Sequence, residues 1–243
     1  MNNYEQTVYH ELIRWRRNVL KRSGLFKQLS KKTQTKVNDM IPEKVHSMIT
    51  ASIKSMVKAT LTGSEMTTNK KAAAASSLFD KDTWLKEKCA SYRKTAVAEG
   101  AGTGAGGFFL GIADFPLLLS IKMKFLFEAA AIYGFDTRQY EERLFLLHIF
   151  QLAFSSDKHR REVFHTMENW EFEKKNLADM DWRMFQQEYR DYMDVIKLLQ
   201  LIPGFGALAG AYANHNLMDT LGETAMNAYR MRLLVFPSQD YDY

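Results

Sequence analysis

A chain of 243 residues with 46% hydrophobic and 13% aromatic side chains is long enough for one large domain with a substantial core. Its single cysteine, Cys89, excludes an internal disulfide framework and fits a reducing cytoplasm, and the opening Met1-Asn2-Asn3-Tyr4-Glu5-Gln6 has neither the basic nor the apolar region of a secretory signal. The net charge of +5 is uneven: residues 1–99 hold 19 Lys and Arg against 9 Asp and Glu, and residues 100–243 hold 14 against 19. A basic N-terminal part of this kind suits an anionic membrane surface or an acidic partner, and no nucleic acid is expected.

Along the chain, Tyr4, Val8, Leu12, Trp15 and Val19 recur at helical spacing and predict an amphipathic helix over residues 4–22, stopped at Gly24. Arg14, Arg17 and Lys21 fall largely off that stripe. Together with Arg16 and Arg22 they are the candidate membrane-surface residues of a basic amphipathic segment, residues 1–36. Pro42 predicts the start of a second helix, with Glu43 in its first turn and an apolar stripe of Val45, Ile49, Ile53, Met56 and Val57. Residues 64–77 read as a polar, alanine-rich loop, and Trp84 to Ala98 as a helix.

Gly100, Gly104, Gly107 and Gly111 then follow at steps of four, three and four, which places them on one helix face. Glycine inside a helix costs about 1 kcal/mol against alanine, so four on one face point to a close helix approach. Gly206 and Gly210, with Ala207 and Ala211, make a matching face, and the two segments are expected to pack together. Further helices are predicted over residues 117–131, closed by Gly134, and over 141–154. Shorter ones are predicted within 155–194, and a last helix over 214–234. Strand alternation is scarce. The expected fold is all-α: one multi-helix bundle over residues 1–243, two glycine-faced apolar helices at its centre, and a loose acidic tail over 235–243.

The chemistry-bearing residues are few. Asp114 lies in an apolar run just before Pro116, where it can cap the helix that follows. Its functional reading is a polar site shared with Glu128 and Asn214 across the glycine contact. Gly102-x-Gly104-x-x-Gly107 matches the dinucleotide fingerprint in form only, because the residues before it read as helix where that motif needs a strand. Glu43-x-x-His46 and Glu162-x-x-His165, with Glu11 and Glu128, have the ligand spacing of di-iron bundles, but their charged or helix-entry contexts argue against a metal. No cofactor is expected. The apolar windows 105–121 and 198–213 are each short for a membrane span, and the first contains Asp114 and Pro116.

The block from Glu99 to Gly107 through Asp114-Phe115-Pro116, with Tyr133-Gly134-Phe135-Asp136, resembles the EcsC family. So do Ile202-Pro203-Gly204-Phe205-Gly206-Ala207 through Asn214 to Gly222, Ala225 and Tyr229, and the early Ile41-Pro42-Glu43-Lys44-Val45. The resemblance spans nearly the whole chain, and residues 155–194 depart from its pattern. It implies a bacterial accessory protein associated with the Ecs ABC transporter system, and it carries over no catalytic residues. The expected place is the cytoplasm, peripheral at the inner membrane face. The alternative is an enzyme or small-ligand-binding helical domain with its site near Asp114, Glu128 and Asn214.

Overall fold

The computed structural model describes residues 1–21, 43–62, 76–103, 115–155, 157–178 and 210–234. They form eight helices: α1 (Asn3–Leu20), α2 (Glu43–Thr62), α3 (Leu78–Thr103), α4 (Phe115–Tyr133), α5 (Tyr140–Phe154), α6 (Asp157–Glu168), α7 (Trp170–Ala178) and α8 (Gly210–Leu233). No strand occurs among the described residues, and the chain is all-α.

Local signals set the helix ends. Asn2 caps α1 in a reciprocal box: its Oδ1 accepts from the Glu5 N–H, and Glu5 Oε2 accepts from the Asn2 N–H, both at 2.9 Å. The predicted stripe is buried, with Val8, Leu12 and Trp15 at 0%, 2% and 9% exposure. The helix ends at Leu20, two residues short of its expected limit, and Gly24 lies outside the described residues.

α3 starts at Leu78, well before Trp84. Ser77 and Asp80 exchange side-chain-to-backbone bonds at 3.2 Å each and cap it. α3 also runs on to Thr103, which makes Gly100 and Gly102 helical. α4 includes Phe115, although a residue before proline prefers extended backbone; the Phe115 ring is 1% exposed, and its burial outweighs that preference. Gly134 ends α4 with φ +92°, a conformation that costs a side chain-bearing residue about 1–2 kcal/mol. Its N–H reaches the Ala131 carbonyl at 3.1 Å, and the Phe135 N–H reaches that of Ala130 at 2.9 Å.

α8 is the hub of the bundle. It packs against α1, α3, α4, α5 and α6, most extensively against α3. Every residue of α5 from Leu144 to Phe154 is buried, as its all-round apolar sequence requires. The helices carrying Gly100 and Gly210 do pack on each other, but their described contact runs through Cys89 and Gly222. Gly104, Gly107, Gly111 and Gly206 lie outside the described residues.

A Cβ on Gly222 would stand 2.6 Å from the Cys89 sulfur, so the two helices meet here with only a hydrogen to spare. Gly222→Ala is expected to destabilise by about 1 kcal/mol net, because overpacking (about 1–3 kcal/mol) exceeds alanine's helical gain (about 1 kcal/mol). The Cys89→Ala/Gly222→Ala double variant keeps that gain without the clash, so it is expected to be the more stable of the two. Equal effects of Gly222→Ala in both backgrounds, read from urea midpoints, would refute the contact.

Candidate functional site

Two arginines, two residues apart near the end of α8, organise the polar interior. Arg230, 4% exposed, donates from Nε and Nη2 to Asp82 Oδ2 at 2.9 and 2.7 Å. Asp82 comes from the second turn of α3 and is fully buried. Its carboxylate also accepts from the Tyr4 hydroxyl at 2.7 Å and from the Tyr133 hydroxyl. α1, α3, α4 and α8 therefore meet on one carboxylate. Burial, then the bond to Asp82, pushes the Tyr4 phenol up to about 12 and raises that of Tyr133 as well. Burial works against the Arg230 charge, and Asp82 more than restores it.

The third nitrogen of Arg230 is turned elsewhere. Nη1 donates to Glu11 Oε2 at 2.9 Å and to Asn227 Oδ1 at 3.3 Å. Glu11 is half-exposed. It lines a cleft of about 590 Å³ between α1, α3 and α8. Trp15, Leu85, Cys89, Ala90 and Met226 supply apolar lining, and Arg14 of α1 and Lys86 of α3 line it as well. Arg93 also lines the cleft, held on Asp219 at 3.1 Å. Burial, then the nearby Asp219 charge, pushes the Cys89 thiol up to about 11, which makes it a packing group rather than a nucleophile.

Arg232 heads a second buried cluster. It forks onto Glu142 at 2.6 and 2.8 Å, reaches Glu171 at 3.0 Å, and lies 4.0 Å and 4.6 Å from the ring centres of Phe135 and Phe145. This bidentate, ring-flanked pair ties α8 to α5 and α7.

Of the three residues of the predicted polar site, only Glu128 can be located in full. It sits on α4 and faces α3, taking the Tyr92 hydroxyl at 2.7 Å and the Lys88 ammonium at 3.1 Å. Asp114 and the Asn214 side chain lie outside what is described. Among the predicted membrane-surface residues, Arg14, Arg17 and Lys21 are exposed, while Arg16 bonds Glu168 of α6 at 2.7 Å. Arg22 lies outside the described residues.

The described members of the metal alternative each have another partner or place. Glu11 is on Arg230, Glu162 pairs with His159 at 3.0 Å, and His165 pairs with Glu168 at 3.5 Å. Among the described residues no three ligand-type side chains converge, and the side chains of Glu43 and His46 are outside them.

The Asp82–Arg230 pair and the cleft above it had no motif in the sequence. Asp82 stands between Lys81 and Thr83, and Arg230 between Tyr229 and Met231, so neither shows a local sign of its partner.

The EcsC protein family matches residues 6–234, a span that includes the stretch 155–194. Protein EcsC of Bacillus subtilis (strain 168) is 54% identical over 229 residues, covering 94% of this chain and 96% of that protein. The uncharacterized protein YdbA of the same organism is 32% identical over 144 residues, covering 58% of this chain and 53% of that protein. No solved structure matches. A match across nearly the full length, joined to an all-α bundle, makes this chain a member of the EcsC protein family.

Proposed function

We propose that this protein is a non-catalytic accessory protein of a bacterial ABC transporter system, held peripherally on the anionic cytoplasmic face of the membrane. The transporter link rests on the family resemblance. The attachment rests on α1. At 3.6 residues per turn, Arg14, Arg17 and Lys21 fall within roughly 60° of arc on the exposed face, opposite the buried Val8, Leu12 and Trp15. The chain continues with Arg22, Lys27, Lys31, Lys32 and Lys36, so the positive charge extends beyond the helix. Among the described residues no helix is long and apolar enough to cross a membrane. Surface charge is thus the favoured means of attachment.

Each basic residue near an anionic leaflet contributes about 1 kcal/mol, so Arg14→Gln, Arg17→Gln and Lys21→Gln together should weaken vesicle binding about 100-fold. Flotation with phosphatidylglycerol vesicles at low salt and in 1 M NaCl, where the screening length falls to about 3 Å, tests this. Flotation that persists in 1 M salt, or in the triple variant, would refute charge-mediated attachment.

A further inference from the structure

We propose that the cleft between α1, α3 and α8 binds an acidic amphiphile, a phosphate monoester or carboxylate on an apolar body, whose acid group takes the place of the Glu11 carboxylate on Nη1 of Arg230.

The argument starts from how Arg230 is held. Asp82 takes both Nε and Nη2 on one oxygen, at 2.9 and 2.7 Å, and both partners are buried. That fixes the plane of the guanidinium and already balances its charge. Glu11 therefore brings a second negative charge to a pair that is neutral without it. Its side chain is 50% exposed, whereas that of Arg230 is 4% exposed. A half-exposed carboxylate is already partly hydrated, so it loses less on returning to water than a buried one would. An incoming carboxylate can thus replace it with the charge balance unchanged, and the further negative charge of a phosphate monoester is met by Arg14 and Lys86 on the cleft lining, while Asn227 Oδ1, 3.3 Å from the same nitrogen, stays in place.

The cleft supplies the rest of such a site. Its volume of about 590 Å³ falls in the usual range for small-molecule sites, which pair apolar walls with a few fixed polar groups. Trp15, Leu85, Ala90 and Met226 offer the apolar contact, and Arg14 and Lys86 flank the cleft from α1 and α3. Asp219 is engaged by Arg93 at 3.1 Å. Glu223 is exposed and stands where the cleft adjoins a second one of about 420 Å³. The fixed donor to an anion is a rigid, buried guanidinium edge, and the carboxylate it now holds is half-exposed.

Isothermal titration of the full chain with decyl phosphate, kept monomeric, tests this. Saturable one-site binding is expected, at least 10-fold tighter than that of inorganic phosphate. Glu11→Ala should tighten it about two- to five-fold by removing the internal competitor, and Met226→Trp should abolish it by filling the cleft, with melting curves checking that both variants fold. Competition against vesicles containing phosphatidic acid, a lipid that carries a phosphate monoester, assigns the source: loss of vesicle binding identifies a lipid headgroup as the occupant, and unchanged vesicle binding identifies a free amphiphile. Arg17→Gln with Lys21→Gln should weaken vesicle attachment and leave the decyl phosphate titration unmoved, which separates this site from the α1 surface. Decyl phosphate binding unaffected by Met226→Trp, or no tighter in Glu11→Ala, would overturn the proposal.

Discussion

Asp82→Ala is expected to cost about 3–5 kcal/mol of folding stability, a large part of the 5–15 kcal/mol typical of a domain. The loss comes mainly from what remains. Arg230, 4% exposed, would keep its charge with only half-exposed Glu11 to balance it, and the buried Tyr133 hydroxyl would lose its acceptor. Replacing both charges by apolar groups of similar volume, as in Asp82→Leu/Arg230→Met, should restore most of the loss, because a buried ion pair often contributes little net stability over a packed apolar one. Urea unfolding of the single and double variants decides the matter. A double variant as unstable as the sum of its parts would mean that the pair holds the fold through more than charge compensation.

Acid should destabilise the protein through His148. This residue lies in the buried Leu144–Phe154 run of α5, its Nδ1 on the Leu144 carbonyl at 2.8 Å and its ring edge-on to Trp170. Burial pulls its pKa down to about 4, opposed in part by the bond to Leu144. The folded state therefore resists protonation where the unfolded chain, at about 6.5, accepts it. Stability is complete above pH 6.5 and is lost as the pH falls towards 4, by about 1.4 kcal/mol per unit and about 3 kcal/mol in all. His148→Leu removes this titration, so its stability should fall less between pH 7 and pH 4.5 than that of the parent. Carboxylate titrations are common to both chains and cancel in the comparison. Parallel pH profiles would show that His148 does not carry the effect.

What could be read from the chain and what could not divide along a physical line. Helix positions are local properties: the spacing of Val8, Leu12 and Trp15, the entry of α2 at Glu43, and Gly134 as a left-handed stop all follow from neighbours a few residues away. Errors at the ends were local too. The Ser77–Asp80 box was in plain sight before Leu78, and the early start of α3 follows from it. The polar interior is another matter. Lys81-Asp82 and Glu141-Glu142 look like ordinary solvated charges, and only the folded chain brings them to Arg230 and Arg232. The glycine steps that dominate the sequence drew attention to α3 and α8. Yet the close approach among the described residues is at Gly222, a lone glycine with no periodic companion there.

The Asp82–Arg230 bond joins residues 148 apart, and Glu11 reaches 219 residues to the same arginine. Order of synthesis gives that separation a cost in time. At about 5–20 residues per second, a ribosome that has made Asp82 needs on the order of ten seconds more to deliver its cation. Through that interval α1 and α3 have emerged without the helix that holds them together, and closing so distant a contact is slow. The bundle is thus completed only once α8 has left the ribosome. The buried stripe of α1, Val8, Leu12 and Trp15, stays uncovered by α8 until then.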